Sequence, residues 1–351
     1  MATRDEIMAA LDEVMDPELH RSLVELNMIR DVTVEDSTVK VVVALTVPGC
    51  PMKKQIHQSV EERLLMVPGV EQVQVEMTSM SEDERKKLFG QNNEEIPLLA
   101  SGAKIVAVAS GKGGVGKSTV TANLAVGLGQ LGYRVGVIDA DIYGFSMGRM
   151  LNLTGEAMLT EDEKIIPFES HGIKAISMGA MMDEETPLVW RGPLLRSALQ
   201  QFLADVLWGQ LDFMIIDLPP GTGDVAIDLA QMIPESYLLI VTTPQRLATG
   251  VASRAAHLAD KVGQKVIGVV ENMSYFVAPD TGKRYEIFGS GGGRQLADKL
   301  GVPLLGQIPL TPTVRETGDE GNPVVLEQDN PAGKALREVV KRVVELTRTR
   351  P

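Results

Sequence analysis

Hydrophobic and polar positions follow two different regimes along this chain. Between residues 4 and 15, Ile7, Met8, Leu11, Val14 and Met15 recur at helical spacing. Residues 39–46 (VKVVVALT) are β-branched and predict a strand. A TVPGCP turn then leads into a second predicted helix over 52–66, and 70–75 (VEQVQV) alternates with period two, as a half-buried strand does. This pattern predicts a small α+β domain over residues 1–80. Beyond residue 99 the apolar runs become nearly continuous, at 105–109, 135–139, 173–178, 213–217, 237–242, 266–270 and 304–308. Helical stretches such as 119–131 and 246–262 lie between them. Strands without alternation are buried on both faces, so residues 99–351 predict an α/β domain: a mostly parallel sheet covered by helices on both faces. Ligands bind such sheets beyond the carboxyl ends of the strands. Residues 79–97 (SMSEDERKKLFGQNNEEIP) are polar and charge-dense. They read as an exposed, partly helical linker, assigned to 81–98.

Composition narrows the function. The chain has 351 residues, 44% of them hydrophobic, which supports sizeable cores and excludes gross disorder. Its net charge of −13 repels phosphate backbones, so no nucleic-acid partner is expected. The first residues carry acids early without the apolar core of a secretory signal, and no long charge-free apolar window predicts a membrane span. A cytoplasmic location is the expectation. Cys50 is the one cysteine, which excludes an intrachain disulfide and, taken alone, a four-thiolate metal site.

The strongest chemical signal is VAVASGKGGVGKSTVTANLA, after the run at 105. Gly111, Gly116, Lys117 and Ser118 satisfy G-x-x-x-x-G-K-S between a predicted strand and a predicted helix. Glycines let backbone N–H groups wrap phosphate oxygens, Lys117 reaches the β- and γ-phosphates, the Ser118 hydroxyl suits Mg²⁺, and the helix N-terminus favours anions. Lys112, Gly113, Gly114, Val115 and Thr119 complete the loop. Two acidic strand ends follow: Asp139 and Asp141 in VGVIDADIYG, and Asp217 in FMIIDLPPGTGD. Carboxylates there can hold Mg²⁺ through water or orient an attacking water. Gly221 and Gly223 suit a switch loop that senses the γ-phosphate.

GKGGVGKST resembles the deviant phosphate loop of the MinD/ParA/Mrp-type ATPases. With DADIYG, DLPPGTGD, TTPQ, ENMS and IFGSGGG, the large domain closely resembles the Mrp/ApbC iron–sulfur carrier ATPases. The first domain, with TVPGCP around Cys50, looks like the small domain linked to iron–sulfur assembly that often precedes them. The resemblance implies a homodimer facing itself over two ATP molecules, with Lys112 crossing to the partner's nucleotide. It implies Asp141 for water positioning, Asp217 in the Mg²⁺ shell, Asp139 in support, and adenine contacts from Asn272 and the Pro309 segment. It also implies a carried cluster, with scaffold proteins and apoprotein clients as partners.

One departure matters. Family members usually carry C-P-x-C after ENMS, and here Ala278-Pro279-Asp280-Thr281 stands in its place. Neither Ala278 nor Thr281 can be a thiolate ligand. Cys50, before a predicted helix whose dipole can lower a thiol pKa, is either a possible iron–sulfur ligand or a small turn residue. The basic, amphipathic stretch 334–350 reads as a terminal helix packed on the sheet or as a membrane-surface anchor. Two functions follow as expectations: an ATP-hydrolysing cluster carrier, or a nucleotide-switched scaffold of the MinD type without a cluster.

Overall fold

The computed structural model describes residues 2–17, 21–35, 37–45, 52–81, 84, 102–141, 146–155, 158–162, 164–177, 192–221, 232–233, 236–245 and 264–348, with residues 192–197 by backbone alone. Cys50, Gly223, nearly all of the expected linker and the expected helix at 246–262 lie outside the described residues. The chain divides into two compact units, Met1–Glu94 and Glu95–Pro351.

In the first unit, α1 (Arg4–Asp12) starts at a capping box: the Glu6 N–H donates to the Thr3 hydroxyl, and the Thr3 N–H donates to the Glu6 carboxylate. The helix stops at Asp12, short of the expected residue 15, and Met15 instead bridges Ser22. Strands β1 (Ile29–Glu35) and β2 (Thr38–Leu45) pair antiparallel, while β3 (Gln72–Ser79) joins β2 in parallel after α2 (Lys53–Leu65). Val39, Val41 and Val43 of β2 alternate inward against Ile7 and Leu11 of α1 and Ile56, Val60 and Leu64 of α2. Period-two and helical patterns thus meet in one core. β1 carries little hydrophobic signal in the sequence, because only Val32 of its seven residues is buried.

The second unit is built on an eight-stranded sheet of order β15-β12-β11-β4-β10-β5-β9-β8. Seven strands, β4 (Lys104–Ser110), β5 (Val135–Asp139), β9 (Ile173–Ser177), β10 (Phe213–Asp217), β11 (Tyr237–Thr242), β12 (Lys265–Glu271) and the edge strand β15 (Leu304–Gln307), run parallel to one another. The edge strand β8 (Phe168–Ser170) runs antiparallel to β9. Along β4, Ile105, Ala107 and Ala109 join one apolar cluster and Val106 and Val108 the other. Both faces are therefore covered: α5 (Gly192–Ala204) and α6 (Gly292–Leu300) serve the first cluster, α3 (Lys117–Gln130) and α8 (Pro331–Leu346) the second. Between the strands sit α4 (Ser146–Met150), α7 (Pro312–Asp319) and the short ribbon β6 (Met158–Leu159) and β7 (Ile165–Ile166). The stripe of α8, Leu336, Val339, Val340 and Val343, is buried in the core, so this helix packs on the sheet. Glycines let it approach: a Cβ on Gly127 would meet Val340 at 2.7 Å and one on Gly306 would meet Val339 at 2.6 Å. No helix among the described residues is long and apolar enough to cross a membrane.

Candidate functional site

Parallel pairing brings the carboxyl ends of β4, β5, β10, β11 and β12 to one edge of the sheet. Asp217 lies in register with Asp139 on β5 and with Val108 on β4. The phosphate loop springs from β4, the central strand, and ends where α3 begins at Lys117. Gly114 and Gly116 adopt φ of +75° and +78°, the left-handed region where glycine is favoured. A Cβ on Gly116 would also fall 2.2 Å from the Asn272 side-chain nitrogen. That nitrogen donates to the Val115 carbonyl at 2.9 Å, so a residue from the end of β12 holds the loop from outside.

The charges inside the loop are concentrated. Lys117, only 5% exposed, places its ammonium 2.7 Å from one Asp217 oxygen and 3.4 Å from Asp141. Asp217 also accepts hydrogen bonds from the Ser118 hydroxyl at 2.6 Å and the Thr121 hydroxyl at 2.7 Å. Burial pushes the Asp217 carboxyl upward, opposed by Lys117 and by the two hydroxyls. Asp139 accepts from the Asp141 N–H at 3.1 Å and the Ser177 hydroxyl at 2.9 Å. Burial first, and the Asp217 charge second, raise the Asp139 carboxyl to about 7. Two carboxylates thus flank one ammonium, and Asp141 Oδ1 is buried with no hydrogen-bond partner among the described residues. The Ser118 hydroxyl and the Asp217 carboxylate beside it are hard oxygens, which fit a divalent cation.

Lys112 is placed differently. Its ammonium stays on the loop surface and donates to the Gln245 side-chain oxygen at 2.5 Å, just beyond β11.

A cavity of about 310 Å³ lies over the loop, lined by Gly113 to Thr119, Asp141 and Pro220. A second of about 600 Å³ shares Thr119, Ser146 and Met150 with it and is walled by Asn272, Pro309 and Leu310. The two expected base-contacting residues therefore line the same space, next to the phosphate loop. Gly111 opens the loop, and Gly221 adopts φ of +101° with its N–H donating to the Ser110 carbonyl at 2.8 Å. Ala278 and Thr281 sit apart from these cavities, at the turn of a hairpin formed by β13 (Phe276–Val277) and β14 (Arg284–Tyr285). Thr121, Ser177 and Gln245 join the site without belonging to any of the sequence motifs. Thr121 is legible from spacing, because a residue four after Lys117 shares its helix face.

Residues 102–344 match the family of NUBPL iron-transfer P-loop NTPases, and residues 4–77 match iron–sulfur cluster assembly proteins. The chain is 48% identical over 340 residues to the iron–sulfur cluster carrier protein of Deinococcus radiodurans, covering 96% of this chain and 93% of that one. It is 41% identical over 347 residues to the carrier protein of Bacillus subtilis, covering 98% of both. Among solved structures, the nucleotide-binding protein of Archaeoglobus fulgidus in complex with ADP aligns with a TM-score of 0.60 at 35% identity, over 68% of this chain and 94% of that one. The septum site-determining protein MinD of Pyrococcus horikoshii, complexed with Mg-ADP, shares the fold with a TM-score of 0.53 at 23% identity, over 70% of this chain and 98% of that one. Given a strand–loop–helix phosphate site at the centre of a parallel sheet, together with these full-length likenesses, the chain belongs to the NUBPL iron-transfer P-loop NTPase family.

Proposed function

We propose that the chain is a homodimeric, ATP-hydrolysing iron–sulfur cluster carrier that takes clusters from scaffold proteins and hands them to apoproteins in the cytoplasm. Residues 1–80 form its assembly-type domain, 81–98 the linker and 99–351 the ATPase domain. The observation that carries the ATPase reading is the triad of Lys117, Asp217 and Asp141 under the glycine loop, with one Asp141 oxygen buried and unpartnered among the described residues.

Each group has a task in attack of water on the γ-phosphate. Backbone N–H groups of Gly113 to Ser118 and the N-terminus of α3 receive the phosphates. Lys117 turns from the two carboxylates to the β- and γ-phosphates. Asp141 Oδ1 accepts a hydrogen bond from the attacking water and aligns it with the bond that breaks, giving ADP and phosphate. Ser118 and Asp217 would hold Mg²⁺, whose charge would offset that of the phosphates. Asp139, fixed by Ser177, keeps the Asp141 backbone in place. Lys112 leaves Gln245 and reaches the nucleotide of the partner subunit. Asn272 and the Pro309 segment receive adenine.

Cargo chemistry is constrained by sulfur. Soft thiolates hold iron, and the ATPase domain contains no cysteine. Cluster binding therefore falls to Cys50, with further thiolates from a second copy, the scaffold or the client. A second reading, a nucleotide-switched scaffold of the MinD type without cargo, is favoured by Ala278 and Thr281 at the hairpin turn. The nucleotide part is tested by phosphate release from ATP: the native chain turns over and Lys117→Ala falls to background. Equal rates in the two would overturn it.

A further inference from the structure

β12 ends at Glu271, whose side chain is fully buried. Its carboxyl accepts three hydrogen bonds: from the Ser274 hydroxyl at 2.5 Å, the Gly293 backbone N–H at 2.6 Å and the Gln307 side-chain amide at 2.7 Å. Two of these donors are the feet of one excursion. The chain leaves the sheet at Ser274, forms the β13–β14 hairpin and returns at the first turn of α6, which contains Gly293. The second foot depends on glycine, because a Cβ on Gly293 would lie 2.7 Å from the Glu271 Cβ. One on Gly292 would lie 2.4 Å from the Pro244 carbonyl oxygen. The positive end of α6 thus abuts a carboxyl, a favourable arrangement for both.

The same short stretch walls the larger cavity. Asn272, next in the chain, grips the Val115 carbonyl through its side chain and the Thr242 carbonyl through its N–H. The Ser274 N–H bonds to the Ile308 carbonyl, and the Leu310 N–H bonds to the Tyr275 carbonyl at 2.7 Å. These bonds fasten the first foot to the segment that carries Pro309. From the hairpin's return strand, the Arg284 guanidinium lies 3.9 Å over the Tyr275 ring. Contacts therefore run without a break from the cavity wall to the hairpin. At its tip, the Ala278 N–H bonds to the Lys283 carbonyl at 3.0 Å, and Thr281 is exposed.

We propose that Glu271 is a positioning residue that couples the nucleotide cavity to this hairpin. A nucleotide touches Asn272 and Pro309 together only when the first foot is docked. Binding therefore favours the docked arrangement, and Glu271 passes the constraint to the second foot, stiffening the tip at Ala278 and Thr281. This inference rests on the ATP-site reading above.

Amide hydrogen exchange on the full chain, with and without magnesium–ADP, tests it. In the native chain, peptides spanning 276–285 exchange about tenfold more slowly when ADP is bound. Glu271→Gln replaces one acceptor oxygen with an NH₂ that faces donors. It still binds ADP, because the phosphate loop is intact, but the slowing at the hairpin shrinks to less than about twofold. Arg284→Ala, an exposed change that spares the core, also weakens the slowing while leaving the melting temperature in place; it decides the matter alone if Glu271→Gln does not fold. A native hairpin indifferent to bound ADP, or variants that respond as the native chain does, would overturn the coupling. A native chain that binds no ADP would remove the ATP-site reading first and the coupling with it, and ADP binding measured in the same samples separates these cases.

Discussion

Lys117 sits between two carboxylates, Asp217 and Asp141. Removing its ammonium takes away the counter-charge to buried Asp217 and, on the proposed function, the side-chain contact to the β- and γ-phosphates. Lys117→Ala should weaken ATP binding by roughly 100-fold, the scale of one charge-assisted hydrogen-bonded contact of about 3 kcal/mol. Titration calorimetry checks this, and an unchanged affinity would remove Lys117 from the site. Asp139 gives a second prediction, in pH. Its carboxyl ionises near 7 in the fold against 3.8 ordinarily. Between those values the unfolded chain has released a proton that the folded chain keeps, so stability falls as pH rises across that window and the loss is complete above it. Asp139→Asn has no such proton to keep. Its nucleotide-free melting temperature should fall less than that of the native chain from pH 4 to pH 7, both on the order of the two bounding pKa values. Parallel slopes in the two proteins would contradict the assignment. The loop residues Gly111 to Thr119 were legible in the sequence because phosphate binding demands them at fixed local spacing. Gln245, 133 residues from Lys112, was not, because only the order of β4 and β11 in the sheet brings the two together.

At the scale of the element, what could be read depended on burial. Strands covered on both faces, such as β10 and β11, announce themselves as unbroken apolar runs and were placed to the residue. The β13–β14 hairpin was invisible, since its paired positions are two residues long and largely exposed. The terminal stretch showed its stripe but not its destination. The structure supplies that destination in the close approach of α8 to Gly127 and Gly306. Gly127→Val would force side-chain atoms into Val340 and Val325, already at 2.7 and 3.2 Å from a bare Cβ. Overpacking of this kind costs about 1–3 kcal/mol, so denaturant melts should show a clear loss of stability. A neutral outcome would mean that α8 is held less closely than the structure shows. The hairpin carries its own prediction. Ala278→Cys with Thr281→Cys restores two thiols per chain at its turn, and the doubly substituted full chain should acquire cluster absorption in the visible range if the dimer keeps family geometry. A colourless product would count against that dimer.

The whole molecule joins a nucleotide engine to a domain that carries the one thiol. The engine's fold was readable because strand and helix alternate by composition alone. The proposed pairing of two copies rests on the single exposed lysine of the phosphate loop, Lys112. Lys112→Ala should keep nucleotide binding by one chain and lose most hydrolysis. Light scattering with ATP should show native dimers, and a native chain that stays monomeric while hydrolysing would contradict the trans contact. The most direct measurement of the account is iron and acid-labile sulfide per chain after anaerobic reconstitution of the full-length protein, native and Cys50→Ser side by side. A bound cluster is expected in the native protein and none in Cys50→Ser, with ATP hydrolysis intact in both. A native protein that hydrolyses ATP yet retains neither iron nor sulfide would contradict the carrier and leave the nucleotide-switched scaffold in its place.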